Sequence, residues 1–302
     1  MAGVARARGF LYATPMPELP EVETVRRGLE PVLHGARLTR VEARRPDLRF
    51  PLPDGFVQRL TGARLIELSR RGKYILGRLD REETLIMHLG MTGRFEIEGG
   101  PSTRAPGKFT LAATADPKHA HVIFHTETGA RVTYFDARRF GFMDLCASGA
   151  LDAHPRFLGM GPEPLGEAFT ADYLATAFKG RRQGAKTLLL DQKLVAGLGN
   201  IYVCEALHRA RISPIRAAGG ISRRKLTTLV ASVRSVLDEA LIAGGSTLRD
   251  FAGADGALGY FQHSFEAYGR QGEPCGNRGC RGVIERLVQG GRSTFHCPVC
   301  QK

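Results

Sequence analysis

Midway along this chain of 302 residues the spacing of apolar positions changes, and no single sheet or bundle satisfies both halves. In the first half apolar residues alternate over short runs at 64–69, 74–79, 85–89, 94–97, 121–124 and 131–135, with Gly62, Gly72, Gly93 and Gly129 in the turns between them. Period two over four to six residues, bounded by turn residues, predicts strands with one buried face, and stacking two such faces makes a β-sandwich. In the second half Leu226, Leu229, Val230, Val233, Val236, Leu237, Ala240 and Leu241 recur at the spacing of about 3.6 that marks one helix face, and Gly244-Gly245 ends the run. A short helix with Val22, Val25 and Leu29 on one face precedes the strands, its end marked by Gly28 and Pro31. The chain therefore reads as α+β and multidomain, consistent with its length. Residues 147–165, with Gly149, Pro155, Gly159, Gly161, Pro162 and Pro164, are the expected hinge.

Lys and Arg number 43 against 30 Asp and Glu, and a pI near 9.9 points to a nucleic-acid partner, although solubility alone could account for the charge. No apolar run approaches the roughly 18 residues of a membrane span. Six cysteines are too few and too clustered for a disulfide scaffold, which favours a reducing compartment. Cys275 and Cys280 enclose four residues, Cys297 and Cys300 enclose two, and sixteen separate the pairs. Between them Val283–Val288, a Gln289-Gly290-Gly291 turn and Arg292–His296 read as a hairpin, so four thiolates can converge on one Zn²⁺ in a zinc ribbon. Cys146 and Cys204 are left over and read as buried packing.

Two further stretches carry chemistry. Met16-Pro17-Glu18-Leu19-Pro20-Glu21 places a proline directly after a methionine. Removal of that methionine frees a secondary amine able to attack a sugar aldehyde carbon, with Glu18 beside it and Glu21 close by. An ordinary Pro-Glu-rich helix entry explains the same residues without chemistry. Asp191–Tyr202 contains Gly197 and Gly199 for a tight turn, then Asn200, which suits the N-cap of a helix through Glu205 and Leu207. Free amides at such a helix start bind phosphate, and the basic run Lys179, Arg181, Arg182 and Lys186 precedes it; a structural cap and a solvated face are the bland alternatives.

Together these stretches resemble formamidopyrimidine-DNA glycosylase over residues 16–302. The resemblance implies a catalytic β-sandwich over 16–146, the hinge 147–165, a helix-two-turn-helix domain over 166–265 and a zinc finger over 266–302. Residues 1–15 are read as an extension absent from the active protein, through an upstream start codon or, less well, a cleaved transit segment. Pro17 is implied as nucleophile, Glu18 as proton shuttle, Lys73 as acting in base loss and strand cleavage, and Arg292 as holding phosphate during elimination. Met91, Arg138 and Phe140 match residues that fill the hole left by an everted base, and His119 and Asn200 match DNA contacts; the loop 253–261 is glycine-rich enough to close over the base as a lid. The implied partner is double-stranded DNA containing oxidised bases, chiefly 8-oxoguanine and formamidopyrimidines. The implied protein is a cytoplasmic monomer with one structural Zn²⁺, which removes the base and then performs β,δ-elimination. The first knuckle departs from the family, which usually encloses two residues there. An endonuclease VIII-type enzyme for oxidised pyrimidines is a rival, disfavoured by Leu19 and Val22-Glu23-Thr24. A non-catalytic zinc-containing DNA-binding protein is another, if the extension stays on Pro17.

Overall fold

The structure is a computed structural model that describes residues 16–99, 116–246 and 260–302. From the amino end run helix α1 (Leu19–Leu33), strand β1 (Leu38–Ala43), a short helix α2 (Phe56–Leu60), then β2 (Leu65–Arg71), β3 (Tyr74–Leu79), β4 (Glu83–His88), β5 (Arg94–Glu98), β6 (Ala120–Thr126), β7 (Arg131–Phe135) and β8 (Phe142–Ala147). They form two antiparallel four-stranded sheets, ordered β1-β6-β7-β5 and β2-β3-β4-β8. Alternate residues such as Phe95, Val122 and Val132 from one sheet meet Leu68, Ile75 and Leu85 from the other in a single core, as the period of two requires.

The strands missed by alternation are β1 and β8. In β1 only Leu38 and Val41 are fully buried, three apart, because the register against β6 shifts between Leu38 and Arg40 and breaks the alternation. In β8 the adjacent Phe142 and Met143 are both buried, Met143 in the sandwich core and Phe142 on the outer face under Phe157. Helix α1 also runs farther than Gly28 and Pro31 suggest, ending at Leu33 with Pro31 inside it. Burial of Leu29, Val32 and Leu33 outweighs those breakers, and the proline sits in the last turn, where it forfeits one helical bond.

The second body contains α3 (Ala171–Phe178), α4 (Ala185–Leu189), α5 (Asn200–Arg209) and α6 (Arg223–Ile242), followed by the hairpin β9 (Glu285–Gln289) and β10 (Arg292–His296). Ser222 caps α6 by accepting from the Lys225 amide. At its other end Gly244 and Gly245 take φ of 74° and 80°, and the Gly245 amide donates to the Ala240 carbonyl at 2.8 Å. α6 packs on α5 and α3, and α1 of the sandwich body lies against α6, so the start of α1 is held between the two bodies. Among the described residues no helix is long and apolar enough to cross a membrane.

Candidate active site

Pro17 and Glu18 enter the fold where the two bodies meet, and both are buried. The Leu19 amide donates to the Gly197 carbonyl at 3.2 Å, which lays the start of α1 on the turn preceding α5. Glu18 then points its carboxylate at the open end of α5 and accepts from the amides of Ile201 at 2.9 Å and Tyr202 at 3.4 Å. That arrangement requires glycine at 199, because a Cβ there would lie 2.1 Å from Glu18 Cδ. Glu18 is also the N-cap of α1 in a capping box with Glu21, whose carboxylate accepts from the Glu18 amide at 3.0 Å. Glu21 in turn accepts from the Tyr202 hydroxyl and, at 2.8 Å, from the Ser246 amide. Burial pushes the Glu18 carboxyl up to about 7, aided by Glu21 and opposed by Lys73 and the two amides of α5.

Lys73 stands in the tight turn between β2 and β3, where Gly72 takes φ of 56°. A Cβ on Gly72 would come within 3.5 Å of the Gly197 amide, so this turn lies directly over the one that receives Glu18. Burial holds the Lys73 ammonium below its usual range; Glu18 opposes that shift and Arg292 reinforces it, which puts Lys73 within the field of both. Glu163, in the connecting segment, fixes the turn. Its carboxylate accepts from the Gly72 amide at 2.6 Å, from Arg71 at 3.1 Å and from Arg70 at 2.7 Å, while Arg71 also donates to the Gly161 carbonyl at 2.6 Å. Spacing alone could not reveal Glu163, since its partners lie more than 90 residues away.

Met91, Arg138 and Phe140 lie on two loops locked together by Asp136, which is fully buried. Asp136 accepts from the Thr92 hydroxyl at 2.5 Å and from the Gly141 amide at 2.8 Å, and Thr92 accepts from the Arg138 amide at 3.2 Å. Gly90 passes so close to Phe140 that a Cβ there would lie 2.3 Å from its carbonyl carbon. Burial depresses His88 to about 4, leaving Nδ1 free to accept from the Gly90 amide at 3.0 Å and hold that loop. Arg138 and Phe140 are exposed, with the guanidinium 4.6 Å from the ring centroid, and Met91 is half-buried beside them. His119, half-buried, ends a single 3₁₀ turn, and its carbonyl accepts from the Asp136 amide at 3.0 Å.

Sequence and structure part at two of these residues. Asn200 is not the N-cap of α5: Gly199 occupies that position, and Glu18 supplies the capping oxygens from across the domain boundary. Asn200 instead donates to the Ser293 carbonyl of the hairpin at 2.9 Å, while its own Oδ1 is buried without a partner. Lys186 is not on the solvated face with Lys179, Arg181 and Arg182, which are all exposed. It is fully buried and donates to the Ser293 carbonyl at 3.0 Å and the Thr294 hydroxyl at 2.6 Å, because α4 packs beneath the hairpin. Asn200 and Lys186 thus hold from inside the hairpin that carries Arg292 on its exposed side. Cys146 is only half-buried and Cys204 fully so. Loop residues 253–259, read as a lid, lie outside the described residues, as do 1–15.

At the carboxyl end the sulfurs of Cys275, Cys280, Cys297 and Cys300 all lie within 4.8 Å of one another, with Cys275–Cys300 at 3.7 Å and Cys280–Cys297 at 3.6 Å. A tetrahedral zinc with Zn–S of about 2.3 Å sets sulfurs about 3.8 Å apart, so these residues fit one structural zinc.

Comparison with known proteins agrees with this geometry. Three family models match in order: the formamidopyrimidine-DNA glycosylase N-terminal domain over residues 16–143, its H2TH domain over 160–252, and the zinc finger found in FPG and IleRS over 272–302. Formamidopyrimidine-DNA glycosylase from Phenylobacterium zucineum is 68% identical over 287 residues, 95% of this chain and 100% of that one, and the protein from Caulobacter sp. strain K31 is 67% identical over 286, again 95% of this chain and 100% of its own. Among solved structures, the MutM (Fpg) protein of Thermus thermophilus is 39% identical, with a TM-score of 0.80 over 94% of this chain and 98% of its own. The complex of a Lactococcus lactis Fpg mutant with DNA containing Fapy-dG is 32% identical, with a TM-score of 0.81 over 95% of this chain and 100% of its own. In fold and sequence, this chain belongs to the formamidopyrimidine-DNA glycosylase family.

Proposed function

We propose that the protein excises oxidised purines from duplex DNA with the freed amine of Pro17 as nucleophile and then cleaves the abasic strand by β,δ-elimination. The observation that carries this reading is the buried Glu18 carboxylate at the start of α5, with Lys73 in its field and Arg292 in that of Lys73. A base inside a duplex hides its glycosidic bond, so the nucleotide must leave the stack, at a cost of a few kcal/mol that inserted side chains offset. Met91 and Phe140 act as the wedge, and Arg138 offers planar donors to the acceptor edge of the orphaned cytosine.

Pro17 nitrogen attacks C1′ as the bond to the base breaks, and the base takes up a proton. The amine's own proton passes to O4′ as the C1′–O4′ bond breaks, which opens the sugar ring and leaves an iminium. Glu18, poised near 7, is present in both protonation states at neutral pH and suits this exchange. The iminium acidifies C2′, so the 3′ C–O bond breaks with loss of that proton, and the conjugated product then loses the 5′ phosphate. Arg292 and Lys73 supply positive charge to the phosphates, and Arg181, Arg182, His119 and Asn200 hold the backbone. Zinc, when bound by the four cysteines, fixes the hairpin that carries Arg292.

The active form begins at Pro17, a reading supported by a family match that starts at residue 16. The relatives support a purine enzyme over an endonuclease VIII-type one. We further propose a monomer acting in the cytoplasm on the chromosome. The test is mass spectrometry of the products from an 8-oxoguanine duplex. Free base with a one-nucleotide gap bearing phosphate at both ends is expected, whereas free base from an intact strand would reject the lyase step.

A further inference from the structure

The enlarged first zinc knuckle has work that the family motif does not assign. Gly276-Asn277-Arg278-Gly279 stand between Cys275 and Cys280 and fold back over the end of α5, where Arg211, just past the helix, donates to the Arg278 carbonyl at 3.0 Å. Asn277 Nδ2 lies 3.1 Å from the His208 carbonyl and 3.4 Å from Cys300 Sγ. From the helix side, His208 is fully buried with Nε2 3.2 Å from Cys275 Sγ, and its Nδ1 faces the Glu266 carboxylate at 3.4 Å. One turn earlier on the same face of α5, Glu205 accepts from the amides of Glu266, Ala267 and Tyr268 at 2.8, 3.0 and 2.6 Å.

Four thiolates around Zn²⁺ carry a net charge of about −2, and in a buried setting that charge needs N–H donors. A zinc-bound thiolate is an acceptor only, which fixes the protons. The two Asn277 amide hydrogens go to the His208 carbonyl and Cys300, and the Nε2 hydrogen of His208 goes to Cys275. Each of these three hydrogens then has an acceptor, His208 Nδ1 is left facing Glu266 without a hydrogen bond, and the 3.2 Å approach of Asn277 Nδ2 to His208 Nε2 is a contact between donors already engaged elsewhere.

We propose that His208 and Asn277 are hydrogen-bond donors to the zinc thiolates, and that the four-residue knuckle exists to fasten the metal site to α5, whose opposite end receives Glu18. They are positioning residues, and the inference rests on zinc occupying the four cysteines. The full chain is prepared with zinc as His208→Phe, His208→Gln and Asn277→Ala, and zinc affinity is read by competition with a chromophoric chelator. His208→Phe and Asn277→Ala each lower affinity by roughly 10- to 100-fold, while His208→Gln, which keeps an N–H donor, retains most of it. With cobalt in place of zinc, the thiolate-to-metal charge-transfer band moves to lower energy in His208→Phe and stays in place in His208→Gln, because a hydrogen bond lowers the sulfur lone pair. Wild-type affinity with unshifted bands in both His208→Phe and Asn277→Ala would overturn the proposal, as would equal losses in the Phe and Gln variants, which would reduce His208 to packing.

Discussion

Glu18 is buried at the junction of two helices, capping α1 through its own backbone and α5 through its carboxylate. The neutral form of a carboxyl raised to about 7 disappears as pH rises through that value. Base release that draws on the protonated form therefore slows above about pH 7. Glu18→Gln should lose that limb of the single-turnover profile along with roughly 10²- to 10⁴-fold in rate, and a limb that survives in the variant belongs to another group. Stability follows the same sign. Folded Glu18 keeps its proton to a higher pH than the unfolded chain, whose carboxyl titrates near 4.5, so folding weakens as pH rises between about 4.5 and 7. Arg138 makes a separate prediction: Arg138→Ala should lose preference for cytosine opposite the lesion, whereas Asn200→Ala should weaken binding to all opposing bases alike. Equal losses with every opposing base would remove Arg138 from base reading. Residue identities were legible in the chain, but their partners were not: nothing near Lys186 or Asn200 in sequence says that both point at Ser293.

Single glycines and one glutamate set where the elements sit. Gly199→Ala places a Cβ on the Glu18 carboxyl and should displace it from α5, reducing base excision about as far as Glu18→Gln while leaving the zinc content unchanged. Near-normal excision by this variant, measured in single turnover, would mean that the cap is dispensable. Glu163→Ala leaves the Gly72 amide without an acceptor and takes one of several from each of two arginines, an expected loss of about 1–3 kcal/mol by urea melt, together with slower cleavage because Lys73 rides on that turn. Short apolar runs following turn glycines, such as β3 and β7, could be read even though each buries four residues. β1, whose register shift spaces its two buried residues three apart, could not.

Across the whole molecule, Pro17 and the start of α1 are caught between a sandwich and a helical body, with the zinc hairpin closing the site from a third side. The order of these parts was readable from the change in period and the cysteine spacing. Their convergence was not, since the Glu18–α5 contact spans more than 180 residues. The small core around Ala267, Ile284 and Phe295 leans on the cysteines themselves. Stripping zinc with a chelator should therefore lower affinity for an abasic-analogue duplex at least about tenfold, read by fluorescence anisotropy, with the sandwich still folded by circular dichroism. Everything proposed for the reaction requires that the Pro17 nitrogen be free. Within a chain that begins at Met1 that nitrogen is an amide, its lone pair delocalised and without a proton to lose. Both forms, with amino termini confirmed by intact mass, are reduced with borohydride in the presence of an 8-oxoguanine duplex. A covalent protein–DNA adduct is expected for the form starting at Pro17 and almost none for the longer one. Equal trapping by a longer form verified as unprocessed would mean that Pro17 is not the nucleophile.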